Sequence, residues 1–490
     1  MRTALLAIAA ALATPFAGPA LAKTDVTIGM QLEPPGLDPT AGAAQAIDSV
    51  VYANIFQGLT RFTESGDVVP SLAESWTISE DGTVYTFTLR AGVTFSDGTA
   101  LDAGDVVFSF TRAVAEGSAN AQQALFAAIE SVEAVDDLTV KITLSQPQGS
   151  FLFNMAWGDA VIVAPESAET NAAAPVGTGP YMLSDWVKGD RVILTAREDY
   201  WGEAPAITEA TIQFISDPTA AFAAIMAEDI DAFSGFPAPE NVPQFEADPR
   251  FAVMIGNTEG ETILSTNNTM PPLDNVKVRE AIAHAIDRQA VIDGAYYGYG
   301  TPIGTHFAPH NPAYVDLTGL SSYDPEKAKA LLAEAGFPDG FTTTLKLPPP
   351  SYARRGGEII AAQLAEVGIT VEVSNLEWAQ WLDEVFKQTN YGLTIVSHTE
   401  PFDIGIYARD TYYFNYDSDA FRAIIAELEV TAEPEARAAL LAQAQEHIAK
   451  EYVNGYLFQL PAITVAKAGL TGMWANAPAA VMDLGALSWE

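Results

Sequence analysis

The sequence contains no cysteine among its 490 residues. Without cysteine the chain can form no disulfide scaffold and no thiolate metal site, and it offers no cysteine for lipid modification. Histidine is also scarce, with five residues, so few side chains suit nucleophilic or base catalysis. No Ser-x-x-Lys, Gly-x-Ser-x-Gly or His-Glu-x-x-His motif occurs. These absences argue against the common serine hydrolases and zinc proteases.

Basic residues are few as well. The chain has 24 Lys and Arg against 63 Asp and Glu, a formal net charge of −39. Nucleic acids and anionic membrane surfaces would both repel such a chain, so neither is expected as a partner. A solvated acidic surface is the simplest interpretation of this charge.

The first 22 residues differ from the rest. Arg2 precedes an apolar run over 4–13, and the small residues Ala20 and Ala22 flank Leu21. This pattern predicts a secretory signal peptide with an A-x-A-like cleavage site, and the run is too short to span a bilayer. We therefore expect a periplasmic protein that has no lipid anchor and does not itself span the membrane.

The remaining length predicts two or three domains. In the first part, apolar Tyr85, Phe87 and Leu89 alternate with polar residues, as do the apolar positions over 138–144, and this period of two predicts strands. Asp102 is placed to cap a helix between them, with Asp105 in its first turn. The region 50–165 is therefore expected to be mixed α+β.

The second part reads as α/β. One helical stripe is predicted over 276–292, and Asp324 with Pro325 predicts a helix that ends at Gly336. Alternation over 345–347 and 369–373, separated by a helical pattern, predicts a parallel strand-helix-strand unit. A last helix is expected from a cap at Thr431 toward Lys450.

Three short motifs suggest chemistry. "GTGPYMLSDW" (177–186) resembles a phosphate loop only superficially, because Pro180 removes a donor and a strand pattern follows. In "HFAPH", His306 and His310 have the spacing of two metal ligands on one helix face, but Pro309 and Pro312 disfavour that helix. "GYGTPIG" (298–304) has the wrong spacing for a dinucleotide fingerprint. We therefore expect no metal and no cofactor.

Aromatic residues without accompanying catalytic motifs suit capture of an amphipathic solute in a concave site, although core packing is the commoner role of any one of them. They are Trp157, Tyr181, Trp186, Tyr200, Trp201, Tyr296, Tyr297, Trp378, Trp381, Tyr412 and Tyr413.

Several blocks, in order, resemble the extracellular solute-binding proteins of the peptide and nickel family (family 5), which serve ATP-binding cassette (ABC) importers. The first block, 55–113, contains "PSLAESW", "FTLRAGVTFSDG" and "DV". "GTGPYMLSDW" with "REDYWG", "NNTMPPLDNVKVREAIAHAIDR" and "YDPEKAKALLAEAGF" follow. In such proteins the GTGPY segment is a turn into a strand, which makes it scaffold.

The resemblance implies an α/β fold of the type II periplasmic-binding-protein class, with two lobes and a ligand cleft between them. The first lobe would comprise 23–263 and 462–490, with an extra α+β subdomain inserted at about 45–172. The second lobe would comprise 264–461. Two crossings of the chain would then form a hinge.

The resemblance also suggests ligand-binding residues. Glu33 lies in the Glu-Pro-x-x-Leu-Asp-Pro segment that borders the cleft in relatives. Peptide binders usually have "W-x-x-D-Y-x-x-P" in a second-lobe loop, where this chain has "SHTEPFD" (397–403). Glu400 or Asp403 would then replace the aspartate that holds a peptide amine, and Glu400 is preferred. The ligand-binding residues expected from the resemblance and from the loop are Glu33, Trp157, Arg355, His398, Thr399, Glu400 and Asp403.

The function implied is capture of a small solute, namely an oligopeptide, dipeptide or amino-acid-derived compound, and its delivery to an ABC permease with two cassette ATPases. The protein is expected to be a monomer and not an enzyme. A non-peptide solute such as an oligosaccharide, opine or metal chelate is the alternative within the class. A secreted hydrolase with paired carboxylates is the alternative outside it.

Overall fold

The computed structural model describes residues 23–42, 44–399, 403–431 and 433–490, apart from the side chain of Ala379. The predicted signal peptide lies outside the described residues. The strands are β1 (Asp25–Met30), β2 (Thr60–Phe62), β3 (Val68–Pro70), β4 (Ala73–Ile78), β5 (Val84–Leu89), β6 (Ile129–Asp136), β7 (Thr139–Leu144), β8 (Tyr181–Val187), β9 (Arg191–Ala196), β10 (Glu209–Phe214), β11 (Ala232–Ser234), β12 (Phe251–Thr266), β13 (Thr301–Pro302), β14 (Phe341–Leu347), β15 (Ile369–Asn375), β16 (Leu393–His398), β17 (Asn454–Lys467), β18 (Leu470–Thr471) and β19 (Ser488–Trp489).

Helices cover the sheets and connect their strands. The α-helices are α1 (Gln45–Val51), α2 (Ala103–Val114), α3 (Phe151–Asn154), α4 (Pro218–Met226), α5 (Val242–Glu246), α6 (Val276–His284), α7 (Arg288–Tyr296), α8 (Pro325–Glu334), α9 (Ser351–Glu366), α10 (Trp378–Trp381), α11 (Asp419–Val430) and α12 (Pro434–Lys450). The part of the chain that the structure describes also has seven short 3-10 segments, Pro39–Ala41, Gln123–Phe126, Gly158–Ala160, Pro239–Asn241, Thr318–Ser321, Asp403–Ala408 and Leu484–Ala486, and a π-helical turn over Leu382–Lys387.

Eleven strands form one mixed sheet, in the order β15-β14-β16-β12-β17-β11-β1-β10-β9-β8, with β13 paired to β17. The two long strands at its centre, β12 and β17, are antiparallel, and their register is interrupted between Asn257 and Glu261. On one side of this interruption β17 pairs with β11, and on the other side β12 pairs with β16. The two halves of the sheet are therefore joined through β12 and β17.

A separate four-stranded antiparallel sheet has the order β4-β5-β7-β6. Strand β5 buries Tyr85, Phe87 and Leu89 in alternation, as the period of two predicts. Helix α2 packs on this sheet and begins with a capping box. The Asp102 side chain accepts from Gly104 N in the first turn, and the Asp105 side chain accepts from Asp102 N. The predicted α+β character of this region is confirmed.

Several predicted boundaries are confirmed by their caps. The Asp324 side chain accepts from Lys327 N at the start of α8, and Gly336, with φ of +95°, follows its end. Strands β14 and β15 are parallel and connected by α9. Pro180 immediately precedes β8, and a Cβ at Gly177 would lie 2.0 Å from Ile55 O, so the motif over 177–186 is scaffold.

Two boundary predictions are wrong. The stripe over 276–292 is two helices, because the chain leaves α6 at Ala285 and Asp287 caps α7 by accepting from Ala290 N. The last helix is capped by Glu433, which accepts from Ala436 N, while Thr431 ends the preceding helix α11. The first prediction missed the internal cap Asp287, and the cap of the last helix lies two residues beyond the one expected.

Candidate functional site

Three buried side chains that are distant in sequence meet beside the sheet interruption. His306 Nε2 lies 2.6 Å from Asp403 Oδ1, and His398 Nδ1 lies 3.1 Å from Asp403 Oδ2. The exposed side-chain fractions are 0%, 7% and 8% for His306, His398 and Asp403. We call these three residues the His-Asp cluster.

Separate segments bring the cluster together. His398 is the last residue of β16 and pairs with Glu261 on the central strand β12. His306 lies in the segment that follows β13, which is held on β17. Asp403 begins the 3-10 segment Asp403–Ala408. The central strands therefore fix two of the three side chains relative to the interruption.

In each of the two imidazoles, the nitrogen that contacts Asp403 is called the inner nitrogen and the other the outer nitrogen. A tyrosine hydroxyl lies within hydrogen-bond distance of each outer nitrogen. Tyr407 Oη lies 3.2 Å from His306 Nδ1, and Tyr413 Oη lies 3.0 Å from His398 Nε2. Asn454 Nδ2 on β17 donates to Tyr407 Oη at 2.9 Å. Because both imidazoles are held in this way, each presents its inner nitrogen to Asp403.

Electrostatics within the cluster favour an ionised aspartate. Burial by itself would raise the pKa of Asp403, but the charge of His306, together with contacts from His306 and His398, lowers it below its ordinary value. Asp403 Oδ2 is buried and faces His398 Nδ1, as Oδ1 faces His306 Nε2. Both carboxylate oxygens therefore contact an imidazole in a protected position.

A second histidine–carboxylate pair lies at the interruption itself. His310 Nε2 is 2.7 Å from Glu259 Oε1, and the two side chains are 2% and 10% exposed. Burial raises the pKa of Glu259, the contact with His310 opposes this, and the charge of Asp403 raises it further. His306 and His310 thus have different carboxylate partners and lie in a non-helical segment, contrary to a shared site on one helix face.

A cavity of about 240 Å³ opens on the other side of the interruption. It lies where the parallel strands β1 and β11 end, the edge at which open α/β sheets usually bind ligands. Its lining includes Met30, Ser234, Thr258, Pro461, Trp474 and Asn476. Thr258 and Pro461 belong to the central strands, so the cavity adjoins the junction between the halves of the sheet.

The other predicted ligand residues lie in different places. Glu33 accepts from Trp186 Nε1 at 3.1 Å and from the Gly189 amide, so local contacts use its carboxylate. Arg355 is exposed and donates to Tyr297 Oη at 2.7 Å. Trp157 precedes Gly158–Ala160, and its indole Nε1 is buried with no hydrogen-bond partner among the described residues.

The remaining two residues follow β16. Thr399 is exposed, next to His398, and Glu400 lies outside the described residues. The structure thus brings together His398 and Asp403 from the predicted set and adds His306, which sequence analysis considered only as a partner of His310. It also adds Trp474 beside the cavity, and no motif in the sequence marks that residue.

Among the described residues, no helix is both long enough and apolar enough to cross a membrane.

The two-part sheet, the junction of two long strands and the ligand-sized cavity beside it are together the features of a solute-binding protein.

Comparison with known proteins agrees with this class. Residues 67–420 match the family model "Bacterial extracellular solute-binding proteins, family 5 Middle". Glutathione-binding protein GsiB of Salmonella paratyphi A is 34% identical over 374 residues, which cover 75% of this chain and 72% of that protein. The chain belongs to family 5 of the bacterial extracellular solute-binding proteins.

Solved structures agree as well. HbpA2 from Haemophilus parasuis superposes with a TM-score of 0.86 at 28% identity and covers 95% of this chain and 100% of its own. The periplasmic binding protein DppA from Helicobacter pylori, in complex with the peptide STSA, gives 0.74 at 26% identity, with 95% and 98% covered. The predicted fold class, a type II periplasmic binding protein, is confirmed. Members of the family bind small solutes for ABC importers.

Proposed function

We propose that this protein captures an oligopeptide, dipeptide or amino-acid-derived compound in the periplasm and delivers it to an ABC permease driven by two cassette ATPases. The observation that carries the proposal is the family 5 match over residues 67–420, combined with a cavity at the junction of the two sheet halves. The relatives' names support a peptide-like solute, since glutathione is a tripeptide derivative and STSA is a tetrapeptide.

The proposed lobes are 23–263 with 462–490, and 264–461, with a subdomain inserted at about 45–172. The change of neighbours along β12 and β17 supports a boundary at their register interruption, near Thr258 and Pro461. Closure of the lobes would be a rotation about these two strands. A solute that contacts both lobes binds the closed form more tightly and so shifts the population toward it.

The proposed amine contact is Glu400, which follows the strand that carries His398. Two alternatives from the sequence are already engaged, because Glu33 binds Trp186 and Asp403 contacts two histidines. A cation that leaves water for a closed cleft needs a paired carboxylate. Glu400→Gln should therefore weaken binding of an amine-bearing solute by more than tenfold, which is about 1.4 kcal/mol.

The matched control for Glu400→Gln is Asp38→Asn. Asp38 is buried and accepts from Thr40 N at 2.9 Å and from Thr40 Oγ1 at 2.7 Å, so its role is in a local turn. Titration calorimetry with the identified solute compares both variants with the wild type. Equal affinities of Glu400→Gln and wild type would remove Glu400 from the site, and a neutral solute would remove the reason for expecting it there.

We further propose that the bound solute leaves chemically unchanged. The absence of hydrolase motifs from the sequence and the membership in a binding family support this. A thermal-shift screen of glutathione, dipeptides, opines and oligosaccharides should give one class that raises the unfolding midpoint. A ligand at a hundred times its Kd stabilises the folded state by about 2.7 kcal/mol.

Chromatography of the solute recovered from the complex distinguishes the alternatives. Binding of an oligosaccharide, opine or metal chelate with no peptide hit would favour the non-peptide solute. Steady conversion of the hit into product would contradict the binding function and favour the paired-carboxylate hydrolase.

A further inference from the structure

The His-Asp cluster has the donor set of a transition-metal site. Its inner donor atoms, one from each of His306, His398 and Asp403, all lie within 4.8 Å of one another. Two imidazoles and one carboxylate are ligands that Zn²⁺ and Ni²⁺ readily accept. Ligand atoms bonded tetrahedrally to one Zn²⁺ at about 2.1 Å lie about 3.4 Å apart. The contacts of 2.6 and 3.1 Å in the cluster are hydrogen-bond distances, and each pair of atoms needs to separate by less than about 1 Å to bind a common ion.

The surroundings of the cluster support the same interpretation. A metal-binding imidazole normally has its other nitrogen hydrogen-bonded, which fixes the tautomer and the ring orientation. Here Tyr407 Oη and Tyr413 Oη occupy that position for His306 and His398, respectively. This arrangement, present for both histidines at once, directs both inner nitrogens toward Asp403.

Charge gives an independent argument. The side chains of Asp403 and Glu259 are 8% and 10% exposed, and each carboxylate contacts a histidine. Among the described residues their salt bridges are to histidines, with no Lys or Arg. Buried negative charge is costly without compensation, and a divalent cation supplies it.

We propose that His306 Nε2, His398 Nδ1 and the Asp403 carboxylate bind one divalent transition-metal ion, with Zn²⁺ or Ni²⁺ as the matching chemistry. The ion replaces the proton shared between His306 and Asp403, and that proton leaves to solvent. With three protein ligands, the coordination sphere retains a position for water or another donor. The site joins β16, the segment after β13 and Asp403–Ala408, and the proposal does not depend on which solute the protein carries.

The test uses the full purified chain, stripped with EDTA, freed of chelator and titrated with ZnCl₂ or NiCl₂ alone. We expect one metal equivalent per chain after desalting, and calorimetry in two buffers of different ionisation enthalpy should show proton release. Co²⁺ should give d–d absorption bands with imidazole ligation. Less than about a tenth of an equivalent bound at 100 μM of either metal would overturn the proposal.

Variants locate the site. Asp403→Asn should lower metal affinity at least 100-fold, and Tyr413→Phe, which keeps the three donors, should lower it about tenfold by freeing the outer nitrogen of His398. His447→Gln is the control, because His447 contacts Ser418 and Tyr416 outside the cluster and should bind metal as the wild type does. If Asp403→Asn fails to fold, Tyr413→Phe still decides. Wild-type metal affinity in either folded variant would contradict the assignment.

Discussion

Asp159 should make the protein less stable at neutral pH than in mild acid. It lies in the segment Gly158–Ala160, is 6% exposed, and burial raises its pKa to about 7. Asp48 on α1 lies close to the residue that precedes Asp159. A Cβ placed on that residue, Gly158, would be 2.3 Å from Asp48 Oδ1. The pKa of Asp48 is raised by burial and then by the charge of Asp159. Ionisation of this pair is therefore unfavourable in the folded state.

The sign follows from proton binding. An aspartate in the unfolded chain has a pKa of about 3.9, so between pH 4 and 7 the folded state holds a proton that the unfolded state has released. The stabilisation from the protonated carboxyl is fully present below pH 4, decreases steadily between pH 4 and pH 7, and is gone once the pH has risen through 7. A shift of about three units corresponds to about 4 kcal/mol at 1.4 kcal/mol per unit. About 1.5 kcal/mol of this is already lost at pH 5.

The perturbation is Asp159→Asn, which keeps the shape but cannot ionise. Relative to wild type, its unfolding free energy should increase by about 2–3 kcal/mol between pH 5 and pH 8, whatever offset the amide itself introduces. Urea unfolding followed by tryptophan fluorescence at several pH values measures this difference. Asp185→Asn, at an exposed position on β8, is the control. Parallel pH profiles for wild type and Asp159→Asn would refute the reasoning.

Two further predictions concern close backbone contacts. Gly177→Ala would place a Cβ 2.0 Å from Ile55 O, so it should lower the free energy of unfolding by at least about 2 kcal/mol, whereas Gly319→Ala, with open space around it, should leave the thermal midpoint unchanged. Gly149→Ala would place a Cβ 2.1 Å from Thr431 O, at the contact between the region 45–172 and the end of α11. Because the new methyl group opposes this contact between the proposed lobes, the variant should bind the solute several-fold more weakly, as measured by calorimetry. If Gly149→Ala bound the solute with wild-type affinity, this contact would have no part in closure of the lobes.

Local signals in the sequence were sufficient where one cap or one alternation decides the outcome. Asp324 and Pro325 define the start of α8, and the alternation before and after α9 defines two parallel strands. The predicted helix over 276–292 failed because Ala285 and Ile286 are buried in the turn between helices as they would be within one. An apolar stripe therefore does not distinguish a continuous helix from two that pack on the same core.

The candidate site was only partly predictable. The resemblance to the family identified the segment that contains His398 and Asp403, but His306 lies 97 residues from Asp403 in sequence. Their contact depends on β16 pairing with β12 and on β13 pairing with β17, and neither pairing follows from local periodicity. The cavity near Trp474 has the same origin, because its walls come from both ends of the chain.

The central claim is that the protein captures one small solute and releases it unchanged. Native mass spectrometry of freshly purified protein tests this most directly, followed by identification of what leaves the chain on denaturation. The account predicts one small molecule of a single mass per chain, and adding that molecule to stripped protein should raise the unfolding midpoint and restore the same complex. A solute that is converted while bound, or the lack of any binding across the peptide, opine and sugar screen, would contradict the account.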